Sequence, residues 1–221
     1  MDTSRSRALR VSRVGVFASL YVATSLVPVS VFIGASSMLS LNLVITPAIA
    51  VLLSPVDAGF VALIGGLLAL WIAPGQAIFG VSTVLLPVAG AVFGSLAFHR
   101  KKIGSLVAGA FLFIVGLIYL SSRCEFPYWI TPHFLATVLA AFSTFLTPKR
   151  IRIPMSCFIA TMCEQAAMLV QAVFVLQLPA IVFATAFPLM LYERFVGTIG
   201  ASLIALGCAR FAPNYFERLS S

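Results

Sequence analysis

Apolar residues run along this chain in long blocks, with the polar positions gathered between them. A first block covers residues 14–34. Seven more follow at 39–54, 58–73, 78–98, 104–121, 132–147, 154–176 and 180–209. Most approach the roughly 20 residues that a helix needs to cross a hydrocarbon core of about 30 Å. The pattern predicts an all-α protein, a polytopic transmembrane helix bundle of about eight apolar segments. Blocks 39–54 and 132–147 are short for a span, so they are expected to be tilted, re-entrant or sheltered by neighbours. Two adjacent short runs forming one re-entrant hairpin would keep the same parity. Turn formers separate the blocks: Ser54-Pro55 with Asp57, Ala73-Pro74-Gly75-Gln76, Phe126-Pro127, Thr147-Pro148 and Leu178-Pro179. Ile33-Gly34-Ala35 places a bulky residue where a signal-peptide cleavage site wants a small one, so the first block reads as an uncleaved helix.

Composition agrees with the blocks. Of 221 residues, 61% are hydrophobic and 9% charged, and the mean hydropathy is +1.11. Soluble domains carry about 25% charged residues. A water-soluble domain, a disordered chain and a disulfide-rich secreted module are all excluded.

The net charge of +8 has two candidate meanings. No basic stretch is interleaved with base-stacking aromatics, so nucleic acid is not an expected partner. Arg5, Arg7, Arg10 and Arg13 precede the first block. Arg100, Lys101, Lys102, Lys149, Arg150, Arg152, Arg210 and Arg218 fall in alternate connections and at the far end. Twelve of the 14 basic residues therefore share one side. The positive-inside rule makes that side cytoplasmic. The outer loops hold Arg123, and Arg194 lies inside the last block. The expected organisation is a basic cytoplasmic tail (1–13), a single transmembrane helical domain (14–210) and a cytoplasmic C-terminal tail (211–221), in the cell membrane.

Catalytic material is sparse. The chain has no GxxxxGK[ST] phosphate loop, no GxSxG elbow and no HExxH. His99 and His133 sit at opposite block boundaries. Cys124, Cys157, Cys163 and Cys208 lack CxxC or zinc-ligand spacing. The reading is no enzyme, no cofactor, no metal site and no disulfide. Any ATP-driven process needs a partner.

Polar residues inside the blocks are costly. A charge at the bilayer centre costs roughly 2.5–3.5 kcal/mol on the mild insertion scale. Glu164 lies near the middle of the seventh block. Gln171 follows on the same helical face, with Met168 between. Glu193 and Arg194 lie in the last block, near midplane if its helix starts at Ala180 and further out if it starts at Pro188. They read either as a buried Glu–Arg pair holding two helices in register, or as a pocket for a small solute with a charged group. Asn42, Trp71 and Gln76 are further candidates at the outer end. Tyr128 and Trp129 suit an interfacial belt. Asp57 suits the first turn of the third helix.

Small residues recur at packing spacing: Gly15, Ser19 and Ala23 in the first helix, Gly90 and Gly94 in the fourth, and Gly197, Ala201, Ala205 and Ala209 in the last. Such residues let helix backbones approach closely in lipid. The first stripe, next to the basic tail, is the best candidate for contact with another protein.

Residues 14–102 carry a resemblance. A small-residue helix leads into Leu41-Asn42-Leu43 with Pro47, then Ser54-Pro55, Asp57-Ala58-Gly59 and Gly65-Gly66. A Pro-Gly turn and a Gly-rich helix ending in His99-Arg100-Lys101-Lys102 complete the order. This resembles the substrate-binding S components of energy-coupling factor (ECF) vitamin transporters. The turn after Pro55 is wider than the family's. The family's six helices would leave 104–147 as an extra pair. The resemblance implies capture of a vitamin or related micronutrient at the outer side. Delivery would run through a membrane coupling subunit and cytoplasmic ATPases, with Gly15, Ser19 and Ala23 meeting the coupling subunit. The alternative is a self-sufficient proton- or sodium-coupled carrier, for which Glu164, Glu193 and a helix break at Pro188 would be the signs. An intramembrane enzyme lacks its constellation. An apolar scaffold would not need Glu164 or Arg194.

Overall fold

Helix length and apolarity sort the chain's helices into spanning and shorter kinds. The computed structural model describes residues 3–31, 38–122, 125–145 and 148–212. Among them lie eight α-helices: α1 (Thr3–Ser25), α2 (Asn42–Leu52), α3 (Pro55–Ile72), α4 (Leu85–His99), α5 (Lys101–Ser122), α6 (Thr131–Ser143), α7 (Lys149–Phe174) and α8 (Ala180–Phe211). Strands β1 (Pro28–Val31) and β2 (Met38–Ser40) pair antiparallel. Five segments are long and apolar enough to cross a membrane: Pro55–Ile72, Gly80–His99, Lys102–Ser122, Arg150–Phe174 and Ala180–Phe211. The chain is a multi-pass membrane protein built as a helical bundle. Arg123, Cys124 and Arg218 lie outside the described residues.

The first block departs from the expected single helix. α1 starts at Thr3, so the basic segment is helical through Arg13, and it stops at Ser25. Pro28 explains the stop, because it has no N–H and biases the preceding residue toward extended backbone. Thr24 Oγ1 donates to Leu20 O and Tyr21 O, both at 2.9 Å, and Ser25 Oγ donates to Val22 O at 2.6 Å. These hydroxyls supply extra donors to the carbonyls of the last turns. The chain then enters the β1–β2 ribbon, whose base is closed by Leu41 N–H donating to Val27 O at 2.8 Å.

The second block is also shorter as helix than as apolar sequence. Eleven residues of α2 rise about 16 Å, half the hydrocarbon thickness. Every residue from Leu43 to Leu52 is buried. Leu53 O, just past its end, accepts Ser95 Oγ at 2.7 Å, which satisfies a backbone acceptor where water is scarce. α2 is thus a sheltered half-helix. The other short block, α6, has 13 residues and turns Leu135, Val138 and Phe142 outward.

Close contacts fix the directions of the helices. Arg10 meets Asp57 and Tyr21 meets Gly65, so α1 and α3 run parallel. Gly59 faces Val92 and Gly66 faces Val84, making α4 antiparallel to α3. Gly94 faces Ala160 and Gly90 faces Glu164, making α7 antiparallel to α4. Thr161 meets Arg194 and Thr198, and Cys157 meets Ser202 further along, so α8 returns along α7. Gly109 faces Ala140 and Gly116 faces Phe134 in the α5–α6 hairpin. One end of the bundle therefore collects Arg10, Arg100, Arg150, Arg152 and Arg210; the other carries the ribbon. At the basic end Arg10 Nε and Asp57 Oδ1 stand 2.5 Å apart, while Ser54 Oγ caps α3 by accepting Asp57 N–H at 3.4 Å. Nearby, buried Arg152 donates to Phe98 O and lies 5.1 Å from the centroid of its ring.

Two apolar cores result. One joins α1, α2, α3 and α8 with Ala91, Phe98, Ile153 and Cys157. The other joins α5, α6 and much of α7 with Trp129, Phe183 and Met190. α7 belongs to both. α8 runs from Ala180 through Pro188 without interruption, so the break at Pro188 is absent. Trp129, expected at the membrane interface, is buried against Phe183 and Phe187, while Tyr128 is exposed.

Candidate functional site

The ribbon stands where the outer parts of the first two apolar blocks would otherwise be helix, and it leaves a gap in the bundle. A cavity of about 90 Å³ occupies this gap. Its walls come from α1 (Tyr21), the end of β2 and start of α2 (Ser40, Asn42), α3, the 3₁₀ turn Gly80–Val84 (Thr83), α4, α7 (Glu164, Met168) and α8 (Arg194). Irregular backbone at membrane depth is tolerated when protein or a cavity shelters it.

Depth follows from register. Asn42 opens α2, and the neighbouring Leu43 packs on Gly197, near the middle of α8. Asn42 therefore lies well inside the bundle rather than near the outer surface. Its side-chain amide donates to Tyr21 OH at 3.2 Å, and its Oδ1 accepts Ser40 Oγ. These three groups are joined into one wall of the cavity.

α7 and α8 bring the charges to the cavity. Arg194 is 3% exposed, and its Nη1 donates to Thr161 O at 3.2 Å. Its Nε is buried without a hydrogen-bond partner, and so is Glu164 Oε2. Because α8 starts at Ala180, Arg194 is level with Glu164. The two are nevertheless not in contact: no hydrogen bond and no ion pair within 4.0 Å joins them. The expected register-holding pair is open, and both groups face the same cavity.

The remaining candidates take other places. Gln171 pins the 3₁₀ turn to α7: Ser82 Oγ donates to its Oε1 at 2.8 Å, and its Nε2 donates to Ser82 O at 3.0 Å. Glu193 is buried beside Arg194 but is not part of the cavity wall. Trp71 is 88% exposed on the outward face of α3 and does not reach the cavity. Gln76 ends the 3₁₀ turn Pro74–Gln76; its side chain is outside the described part. Three of the seven candidates, Asn42, Glu164 and Arg194, thus meet in one cavity. Sequence reasoning missed Tyr21, Ser40 and Thr83 there. The available signal was the polar interruption of apolar runs by Tyr21 and by Ser40 with Asn42.

A second polar group lies between the other helices. His133 and Gln165 are fully buried, and their side-chain nitrogens and the Gln165 oxygen lack hydrogen-bond partners, as does Trp129 Nε1. Among the described residues no cluster of three His, Cys, Asp or Glu side chains is placed to hold a metal.

Replacing Gln171 by Leu removes both bonds to the 3₁₀ turn. At about 1 kcal/mol per hydrogen bond, the expected loss is about 2 kcal/mol. Hydrogen exchange should show it as faster exchange in residues 79–84 while the centre of α7 stays protected.

Compared with protein-family models, curated proteins and solved structures, the chain matches none.

Proposed function

We propose that this protein is a membrane-embedded binding subunit that captures a small solute, a vitamin or related micronutrient, for ATP-driven uptake through separate coupling and ATPase subunits. The observation that carries the reading is the cavity whose wall holds Glu164 and Arg194 without a direct ion pair between them. Two costly groups held apart in a hydrocarbon setting are best accounted for by something that binds between them. Helices α1, α2, α3, α4, α7 and α8 reach this cavity, whereas α5 and α6 do not. That division suits a six-helix solute-binding core like that of the S components that the sequence resembles, with α5 and α6 as a pair added to it. The basic end is then cytoplasmic, with both termini there.

The partner surface in this reading is the outer face of α1. Gly15, Ser19 and Ala23 are exposed, and a Cβ on Gly15 would meet nothing within 4 Å. Ser19→Leu would block close helix approach there. The expected result is uptake lost by tenfold or more in cells, with solute binding by the purified protein unchanged. Orientation is checked by labelling single cysteines from outside. One at Arg123 should react, and one at Lys101 should not.

The carboxylate of Glu164 in the cavity also suits a proton- or sodium-coupled carrier. Proteoliposomes separate the two readings. Concentrative uptake by this chain alone, driven by an ion gradient, favours the carrier. Native mass spectrometry of the protein purified from its own membrane, carrying a solute and ATPase partners, supports the subunit.

A further inference from the structure

We propose that the cavity takes a small zwitterion, its carboxylate on Arg194 and its ammonium on Glu164. This rests on the solute-capture reading and adds the charge pattern of the solute.

Glu164 and Arg194 bring opposite charges to one space within the bundle. Arg194 is 97% buried and keeps an unpartnered Nε, while Glu164 keeps an unpartnered buried Oε2. Neither satisfies the other, since no nitrogen–oxygen approach within 4.0 Å joins them. Both line the same space. A solute that is only anionic would meet Arg194 and place a second negative charge beside Glu164. A solute that is only cationic would do the reverse at Arg194. A neutral solute would leave Arg194 Nε and Glu164 Oε2 without a charged group in direct contact. A zwitterion supplies a partner to each and brings no net charge into the bilayer.

The Asn42 amide is engaged with Tyr21 OH and accepts from Ser40, so this wall is held in place by its own hydrogen bonds. About 90 Å³ of room for water centres, at about 10–15 Å³ for each water on that measure, admits several waters or one small solute.

The test uses the full-length purified protein in detergent with three probes of increasing charge separation: glycine, β-alanine and γ-aminobutyrate. Acetate and methylammonium are the single-charge comparisons. Binding is read by isothermal titration and by the shift in melting temperature. At least one zwitterion should bind tenfold or more tightly than either single-charge probe. Glu164→Gln should weaken that zwitterion tenfold or more. Acetate or methylammonium binding as tightly as the best zwitterion would overturn the proposal, and so would failure of all three zwitterions to bind. If the variant does not fold, the comparison of probes on the parent protein decides by itself. A neutral solute found in this cavity would overturn the zwitterion and leave solute capture standing. Partner-free uptake of a zwitterion would do the opposite.

Discussion

Gly94→Leu should yield no folded protein, and Gly94→Ala a folded protein with a clearly lowered melting temperature. A Cβ on Gly94 would stand 2.3 Å from Ala160 Cβ, 3.0 Å from Ala160 Cα and 3.0 Å from Ala50 Cβ. Three helices, α4, α7 and α2, meet at this point. No rotamer change relieves the contact, because the obstacles are a backbone and two alanine methyls. Alanine forces the helices apart by a fraction of an ångström, and overpacking of this kind costs about 1–3 kcal/mol. Leucine adds three more carbons where none fits. Against a total stability of about 5–15 kcal/mol, the larger change leaves little or no folded state. Gly15→Leu is the matched comparison, since nothing lies within 4 Å of its Cβ. It should elute as a single species on size exclusion in detergent, while Gly94→Leu aggregates. A Gly94→Leu protein with the parent's melting temperature would mean that α4 and α7 do not cross here.

Arg194→Met should destabilise the protein, and adding Glu164→Gln should restore most of the loss. The two charges stand more than 4.0 Å apart. At an effective dielectric near 20, their attraction is therefore below about 4 kcal/mol. Removing Arg194 leaves the Glu164 carboxylate without a countercharge in a sheltered cavity. It also removes the bond to Thr161 O. A loss of about 2–4 kcal/mol is expected from these terms together. The double variant carries no charge at either position and keeps similar volumes, so its melting temperature should return most of the way. Binding separates structure from function. A double variant that folds and holds the solute as tightly as the parent would place the site elsewhere. A double variant that folds and binds at least tenfold more weakly would assign these groups to the solute.

The apolar blocks were legible because lipid demands long runs, and the Gly90–Gly94 spacing was legible because close backbone approach demands missing side chains. The first block was not. A run rich in valine around Pro28 satisfies the hydropathy of a helix and the propensity of a strand equally, and the β1–β2 pairing depends on contacts between residues far enough apart to escape local pattern. The depth of Asn42 followed from that error, since it opens a half-helix rather than a span. The two tryptophans make the same point. Trp71 sits at a block end and Trp129 in the connection before a block, yet Trp71 faces outward and Trp129 is covered by Phe183 and Phe187. That cover comes from α8, more than fifty residues away, and no local spacing encodes it. Glu164 and Arg194 were legible as costly residues inside apolar runs. Their separation was not, because it depends on how α7 and α8 settle against each other.

The half-length of α2 has a consequence for how the protein is made. Its neighbours arrive late: Leu43 and Val44 pack on Gly197 and Gly200, and Ala50 on Gly94. At a synthesis rate of about 5–20 residues per second, the last of these partners leaves the ribosome on the order of 10 s after α2 does, roughly 150 residues later. During that interval a helix too short to cross the bilayer has no sheltered place in it. Residues 42–53 must then wait at the membrane surface or in the insertion machinery, so the second helix in sequence is among the last to take its place.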